Sequence, residues 1–340
     1  MRVDFFMQST FYEEERDVLR CLYNGVKQDL IPSEDPLDLA MIKKINSSAG
    51  LQTGVNYSYE EKIKGKYNLG VIYGSWKPER GNLHHKVKAS VVEKDIPFLC
   101  IETQLLGRKI TDTHDYYRIG INGFLNEAAI FGLEQKYDRT RFDKLGLEYN
   151  GWKPIRGNKV VIALQLPGDA SLRNMDINKW CIWVLDKLKD LTDRPIEIRT
   201  HPALSQKGID AHLQIYQHLA FNKMDNVSFV DGRTVSWQDQ LEDAHCVITY
   251  TSGLAIDAIL NGIPVIACDP GNFAWSISSN SIERVEDPLF TDVHKIEAWL
   301  NTLSYCQWSK DEMQSGEAWA HLKPAVLKYL NDKENEDESS

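Results

Sequence analysis

The sequence predicts an α/β protein of two domains, each built on a parallel sheet covered by helices. Strand-like apolar runs alternate with helix-like segments along most of the 340 residues, which is typical of this class. A turn-rich stretch at 149–158 (YNGWKPIRGN) interrupts the alternation, and a second strand–helix series starts after it. Since a chain of this length exceeds most single cores, we expect two domains with a cleft between them.

The elements of the first half are predicted from apolar runs and helical periodicity. We expect strands at 2–7, 69–74, 96–101 and 116–121, and helices at 11–30 and 81–95. No GxGxxG follows any of these strands, so a dinucleotide fingerprint is absent.

The second half repeats the pattern and contains its clearest unit. Strands are expected at 159–165, 194–199 and 227–230, with a helix at 176–190. Val247 to Pro270 then reads as strand, tight turn, helix, glycine stop at Gly262, and strand, which is one βαβ unit. We therefore divide the chain into domains at 1–150 and 151–305, C-terminal helices at 306–330 that pack back on the first domain, and an acidic disordered tail at 331–340.

Composition excludes several classes of protein. No apolar run approaches the ~18 residues of a membrane span, and the N-terminus has no export signal, so a cytoplasmic protein without stable membrane insertion is expected. The six cysteines lack CxxC spacing, which favours reduced core thiols over disulfides or zinc. The net charge is −10, yet residues 41–150 hold 17 Lys and Arg against 13 Asp and Glu, a net +4. This indicates either an anionic partner or ordinary surface variation. The oligomeric state is left open.

The turn of the βαβ unit offers an anion site. Ser252 and Gly253 stand where the helix begins, so free N–H groups, a hydroxyl and the positive end of the helix dipole converge there. A nucleotide phosphate suits such a position. The alternative is that Ser252 is only the N-cap of the helix.

Other polar residues follow strands in the same way. Asp169 and Ser171, His201, and Asp269 each come after an apolar run, and the carboxyl ends of parallel strands share one edge. In the first half Glu102 stands at the equivalent position. Purely structural roles for these residues stay open: Asp169 caps a helix, His201 closes a turn, and Glu102 forms an ion pair with Arg199 or Lys77. The nine histidines show no metal-ligand spacing, so no metal site is expected.

This arrangement resembles the nucleotide-sugar half of GT-B glycosyltransferases, in particular capsule-type β-Kdo transferases. Gly168-Asp169-Ala170-Ser171 is similar to their DDAS-like loop, and His201-Pro202 to a strand ending in HP. The turn and helix from Ser252 to Gly262 are similar to SxxGFEAL, with Asp257 in place of Glu and Ala255 in place of Gly. Glu102 matches a strand ending in EDGF-like residues, but no Asp follows it. The resemblance covers roughly residues 95–275.

A second resemblance extends over most of the chain. The phrases IETQLLGRK, YYRIGINGFLN, LQLPGDASL, RPIEIRTHP and CQWSKDEMQSGEAW are similar to phage glycosyltransferases that decorate hydroxymethylated bases in DNA. Both resemblances imply a GT-B-like α/β fold with two Rossmann-like domains, whose parallel sheets face each other across a cleft. The first domain is then the acceptor side and the second binds the nucleotide sugar.

The resemblance also implies residue roles. Glu102 is the general base, Asp169 is a nucleophile or a ligand of the sugar, and His201 donates to the departing phosphate. The donor is bound by Ser171, His201, Ser252, Gly253, Leu254 and Asp257. No cofactor is expected beyond the nucleotide sugar as co-substrate.

The acceptor is the least determined element. The main hypothesis is a 5-hydroxymethylated pyrimidine in phage DNA, in the host cytoplasm, with the target base flipped out of the duplex. Its contacts are then Ser75, Trp76, Lys77, Arg108, Lys109 and Tyr117. The alternatives are a capsule or lipopolysaccharide saccharide acceptor, a GT-B-fold nucleotide-sugar epimerase, and a non-catalytic nucleotide-binding partner.

Overall fold

The computed structural model describes residues 2–5, 13–29, 68–74, 97–108, 114–129, 137–154, 157–204 and 210–339. Contacts divide the chain into two compact units. The first comprises Met1–Phe124, Ala128–Gln135 and Tyr305–Ser340, and the second Leu125–Glu127 and Lys136–Ser304. Each contains a five-stranded sheet covered by helices, so the predicted class, two Rossmann-like α/β domains, is confirmed. The helix expected at 81–95 lies outside the described residues.

The strands follow the predicted apolar runs closely. They are β1 (Arg2–Phe5), β2 (Asn68–Tyr73), β3 (Phe98–Thr103), β4 (Tyr117–Ile121), β5 (Lys159–Ala163), β6 (Ile196–Arg199), β7 (Val227–Val230), β8 (Ala244–Thr249), β9 (Val265–Ala267) and β10 (Gln307–Trp308). The helices are α1 (Glu13–Asp29), α2 (Asn126–Ala129), α3 (Thr140–Lys144), α4 (Ile177–Leu188), α5 (Leu213–Asn222), α6 (Trp237–Leu241), α7 (Leu254–Leu260), α8 (Val293–Ser304), α9 (Lys310–Gln314) and α10 (Glu317–Ser339).

The sheet of the second unit is parallel throughout, in the order β7-β6-β5-β8-β9. The chain runs outward from β5 through β6 to β7, and then returns to the other side of β5 as β8. The strand order therefore reverses between β5 and β8. In open α/β sheets the crevice beyond the carboxyl ends of the strands at such a reversal is where ligands bind. This topology makes the residues after β5 and β8 the first candidates for a site.

Helix α4 covers one face of this sheet through an apolar stripe. Cys181, Val184, Leu185 and Leu188 have no exposed surface and pack against β5 and β6. The helix begins at a capped end, because Asp176 accepts hydrogen bonds from the amides of Asn178 and Lys179. Burial of each large aliphatic side chain contributes roughly 1.5–3 kcal/mol, so this stripe is a major part of the unit's stability.

The predicted βαβ unit is present as β8, α7 and β9. Gly262 ends the helix at φ +69°, and a Cβ on it would lie 2.5 Å from the carbonyl oxygen of Gly151. Glycine is therefore required twice, for its backbone conformation and for space. The amide of Lys153 donates to Gly262 O at 3.0 Å, and Trp152 Nε1 donates to Thr291 O at 2.8 Å. Gly151, Trp152 and Lys153, from the stretch predicted as a linker, thus pack within the second unit.

The sheet of the first unit has the order β1-β2-β3-β4-β10 and is only partly parallel. Strands β1 to β3 are parallel, whereas β4 pairs with β3 and β10 pairs with β4 in antiparallel fashion. The sequence predicted a wholly parallel sheet. The antiparallel register sets Glu102 directly opposite Arg118, and opposite charges at facing positions stabilise such a pair.

The C-terminal segment completes the first unit. Trp308 and Trp319 are buried in its core together with Leu22 of α1. A Cβ on Gly25 would lie 2.0 Å from Met313 O, so α1 and α9 approach closely only because glycine is present. Residues 331–340 were expected to be a disordered tail, but α10 continues to Ser339. Once packing has formed its first turns, each added residue gains a backbone hydrogen bond at little further cost.

Candidate functional site

A network of hydrogen bonds joins the loops that follow the carboxyl ends of β5 and β8. Gln165 Nε2 donates to Ser171 Oγ at 2.5 Å and to Thr251 Oγ1 at 2.9 Å. Thr251 N donates back to Gln165 Oε1 at 3.0 Å, and Thr251 Oγ1 donates to Ser171 O at 2.8 Å. Both Gln165 and Thr251 are only 5% exposed. They fix the loop after β5 against the turn after β8, and they were missed because neither belongs to a recognisable motif.

Asp169 shapes the same loop. Its Oδ1 accepts hydrogen bonds from Ser171 N at 2.9 Å and from Ser171 Oγ at 2.7 Å. It therefore caps the 3-10 turn of Ala170–Leu172, and Gly168 precedes it at φ +70°. The structure thus contains the capping hydrogen bonds that the sequence suggested for Asp169. Ser171 is bound on both sides, by Asp169 and by Gln165, and its hydroxyl is held in one orientation.

His201 lies after β6, and the chain beside it fixes which ring nitrogen carries the proton. The amide of Ala203 donates to His201 Nδ1 at 3.1 Å. A neutral His201 ring therefore has its hydrogen on Nε2 and acts there as a donor. Gly232 packs so closely on this loop that a Cβ would lie 2.1 Å from Thr200 O. Arg199 is buried beneath it and donates to Val235 O and to Gln240 Oε1, each at 3.0 Å.

Ser252, Gly253 and Leu254 form the predicted turn into α7. Ser252 Oγ accepts from Leu254 N at 3.3 Å, and Ser252 N donates to Thr249 Oγ1 at 3.2 Å. Gly253 is the N-cap residue in the αR region, and Leu254 is buried. Asp257 lies one turn further along α7 and is half-buried. The hydroxyl of Ser252 thus serves as a local cap and lies next to the crevice network through Thr251.

Glu102 ends β3 in the first unit and is held by its backbone and by a buried cation. Thr103 N donates to Glu102 Oε2 at 3.1 Å, and Arg118 Nη2 lies 3.8 Å from the same oxygen. Arg118 is 9% exposed and also donates to Thr103 O and Phe124 O, each at 3.0 Å. Its guanidinium lies over the Phe124 ring at 5.6 Å from the centroid. Arg118 was missed because its partner lies 16 residues away in sequence, on the neighbouring strand.

The surroundings of Glu102 are rich in carboxylates. Lys310 Nζ contacts Glu14 Oε2 and Asp17 Oδ2, both at 3.1 Å. Burial, and next the charge of Glu102, raise the pKa of the Tyr73 hydroxyl well above its usual range. Burial lowers the pKa of His114, so this imidazole is neutral near pH 7. The carboxylates Glu14 and Glu102 and the arginines Arg108 and Arg118 all act on His114, so charges of both signs meet here.

One predicted acceptor residue is contradicted by the structure. Tyr117 was expected to stack on a base, but it has no exposed surface, and its hydroxyl donates to Glu14. Tyr117 begins β4, whose five residues are all buried, and its ring lies in the core of the first unit. Arg108 is exposed, as a contact residue must be. Ser75, Trp76, Lys77 and Lys109 lie outside the described residues.

Within the described ranges, the structure contains neither a metal-ligand cluster nor a membrane-spanning helix. No group of three or more His, Cys, Asp or Glu is placed there to hold a metal ion. None of the helices described is both long and apolar enough to cross a bilayer. All six cysteines are free, and burial raises the pKa of Cys246, for example, to about 12.

No protein-family model and no curated protein matches this chain. Among solved structures it is similar to the beta Kdo 2,4 transferase of KpsC from Thermosulfurimonas dismutans, at 12% identity and a TM-score of 0.45 over 71% of this chain and 80% of that one. The beta Kdo 2,7 transferase of the same protein matches at 10% identity and 0.48, over 94% and 100%. A UDP co-structure of MnaA from S. aureus matches at 9% and 0.31, over 97% and 96%. The chemistry of the site is therefore the basis for a function of this protein.

Proposed function

We propose that this protein is a glycosyltransferase that moves a sugar from a nucleotide-sugar donor to a hydroxyl acceptor. The observation that carries the proposal is the set of polar groups on one edge of the second sheet. Asp169 and Ser171 follow β5, His201 follows β6, and Ser252 follows β8, all at carboxyl ends of parallel neighbours. Ligands bind at this edge in open α/β sheets, and hydroxyls, amides and an imidazole donor suit a sugar phosphate.

The donor is assigned to the second unit. Ser252 and the amides of Gly253 and Leu254 bind its phosphate, and Asp257 binds sugar hydroxyls. His201 donates from Nε2 to the phosphate oxygen that leaves with the electron pair of the broken C–O bond. The tautomer fixed by Ala203 N supports this role, since it places the proton on Nε2.

Glu102 is assigned as the general base. It takes the proton of the acceptor hydroxyl as that oxygen bonds to the anomeric carbon, a role that two-carboxylate glycosyl chemistry requires. If Asp169 is the nucleophile, a glycosyl-enzyme forms first and configuration is retained. If Asp169 only binds sugar, the acceptor attacks directly and configuration inverts. The anomeric proton coupling of the product distinguishes the two courses.

The acceptor we favour is a saccharide hydroxyl. Glu14 lies close enough to the edge that carries Glu102 for both carboxylates to act on Tyr73 and His114, and the stacking role of Tyr117 is lost. A hydroxymethylated DNA base remains the second candidate, because residues 41–150 carry a net charge of +4, from 17 basic and 13 acidic side chains.

The test is incubation of the protein with a panel of nucleotide sugars and two acceptors. One acceptor is a mixture of surface oligosaccharides, and the other is hydroxymethylated DNA digested to nucleosides before mass analysis. A gain of one sugar mass on an oligosaccharide supports the proposal, and a gain on the modified nucleoside selects DNA instead. Conversion of a nucleotide sugar to its isomer with neither acceptor present indicates an epimerase and rejects both.

A further inference from the structure

Arg173 is a cation on the donor edge to which no role has been given. It follows the 3-10 turn after β5 and adopts the left-handed conformation at φ +50°. Its Nη1 lies 3.6 Å from Asp269 Oδ1, and its Nη2 contacts the carboxylate of Glu127. One guanidinium is thus paired with two carboxylates, while 37% of its side chain remains exposed.

The guanidinium reaches across the end of β8. Arg173 follows β5 and Asp269 follows β9, and β8 lies between these strands. Tyr250, which directly follows β8, lies close to both Asp269 and Arg173. Burial and a hydrogen bond to Asp269 raise its pKa to about 12, and the charge of Arg173 opposes this shift. Arg173 therefore lies beside the turn that contains Ser252.

The neighbouring chain is built around this guanidinium. A Cβ on Gly271 would lie 2.9 Å from Arg173 Nη2 and 2.8 Å from Asp269 Oδ1. Asn126 N donates to Gly271 O at 3.1 Å, which holds Glu127 beside the loop after β9. Asp269 Oδ1 also accepts from Gly271 N at 2.7 Å. The Asp269 carboxylate is thus fixed by a backbone contact, whereas the side chains of Arg173 and Glu127 are 37% and 53% exposed.

The proposed donor residues lack a permanent positive charge. The set of Ser171, His201, Ser252, Gly253, Leu254 and Asp257 contains neither lysine nor arginine, and Asp257 adds negative charge. A nucleotide phosphate is bound most strongly by a guanidinium, which offers two parallel N–H donors. Arg173 offers such a guanidinium at this edge, and 37% of its side chain is exposed, whereas Arg199 at the end of β6 is buried.

We propose that Arg173 binds the phosphate of the donor and that Glu127 competes with the phosphate for the same guanidinium. This inference rests on the proposed function and extends it to the origin of charge recognition. Before a nucleotide binds, Glu127 and Asp269 hold the guanidinium of Arg173. A bound phosphate replaces Glu127 at Nη2, while Asp269 keeps Nη1 in place.

The test is equilibrium binding of UDP, GDP, dTDP and CMP, the leaving groups of nucleotide sugars, by calorimetry on the full chain. We expect Arg173→Gln to weaken binding of the preferred nucleotide about 10- to 100-fold, because a charge-assisted hydrogen bond to phosphate is lost. Glu127→Gln should tighten binding about three- to tenfold, since a competing charge is removed. A purely structural ion pair predicts no such gain.

The matched control is Arg194→Gln. Arg194 forms a similar pair with Glu286, Nη2 to Oε2 at 3.0 Å, but it precedes β6 and so lies at the amino edge of the same sheet. Its removal should leave nucleotide binding unchanged, and thermal unfolding checks that all variants are folded.

Three outcomes overturn the inference. Equal nucleotide affinity of Arg173→Gln and wild type removes Arg173 from the site but leaves the proposed function intact. Unchanged or weaker binding by a folded Glu127→Gln rejects the competition. Absence of binding of all four nucleotides to the wild-type chain rejects the proposed function together with the inference.

Discussion

The two sheet edges that carry the proposed site hold their functional groups by different means. In the second unit, Gln165 and Thr251 tie Ser171 into a network of neutral hydrogen bonds. In the first unit, a buried arginine, Arg118, holds the carboxylate Glu102. A neutral network orients hydroxyl and amide groups without adding charge. Such groups can then donate hydrogen bonds to an anionic ligand. A carboxylate at a half-buried position instead needs a cation beside it. Under the proposed function, the first edge serves proton transfer and the second serves recognition.

The largest expected effect separates chemistry from recognition. Glu102→Gln should reduce transfer by about 100- to 10,000-fold, the usual contribution of a general base, while nucleotide affinity stays as in the wild type. The measurement is steady-state transfer together with calorimetric nucleotide binding. Asp287→Asn, on an exposed surface pair, serves as the control. Wild-type transfer by Glu102→Gln would remove Glu102 from the mechanism.

Asp169→Asn makes the same comparison on the second edge. Asparagine caps helical turns as well as aspartate does, so the loop should survive the change. A loss of transfer as large as that of Glu102→Gln, with unchanged thermal unfolding, identifies Asp169 as a chemical group. If transfer is retained, the carboxylate of Asp169 has only the capping role seen in its bonds to Ser171.

Arg118 should have an intermediate effect, because it acts through Glu102. We expect Arg118→Lys to lower kcat about 10- to 100-fold and to leave the donor KM unchanged, since a lysine cannot bind both carbonyls and the carboxylate in one plane. Arg284→Lys, an exposed pair with Asp287, is the control arginine. A rise in donor KM with normal kcat would instead place Arg118 in donor binding.

The network of the second edge should show itself mainly in stability. Gln165→Leu leaves the buried amide of Thr251 without its acceptor, and such a loss costs about 1–3 kcal/mol. Chemical denaturation should show this decrease in the free energy of unfolding, together with weaker nucleotide binding. Gln238→Leu, at an exposed position of α6, should change neither quantity by a comparable amount. A stable variant with normal binding would show that the network is dispensable.

The same contrast explains what the sequence was able to predict. The β8–α7–β9 unit was predicted because its apolar runs and Gly262 are local signals. His201 and Ser252 followed from the rule that parallel strands share one edge. Arg118 was missed because its partner lies on another strand, and Tyr117 was misjudged because its place in the sequence does not show that all five residues of β4 are buried. Gln165 and Thr251 carry no signal until β5 and β8 are known to be neighbours.

The smallest expected effect compares two histidines that burial keeps neutral, one in each unit. Asn178 Nδ2 donates to Ala211 O, so its Oδ1 accepts from His212 Nδ1–H at 2.7 Å, and burial alone lowers the pKa of His212. Burial also lowers the pKa of His114, where the charges of Glu14 and Glu102 oppose the shift and those of Arg108 and Arg118 add to it. Both folded-state pKa values lie below that of an unfolded histidine, about 6.5.

The sign of the pH dependence follows from these directions. Above about pH 6.5 both states are neutral, and the free energy of unfolding does not depend on either ring. Below it the unfolded chain binds protons that the folded chain excludes, so stability falls, by up to about 1.4 kcal/mol per pH unit for each ring. Denaturation between pH 7 and 5 should therefore show a shallower loss for His212→Gln than for the wild type. His114→Gln should flatten the slope as well, since burial is the largest cause of the shift at both rings. An equal slope for all three proteins would mean that these rings charge as readily in the folded state as in the unfolded chain.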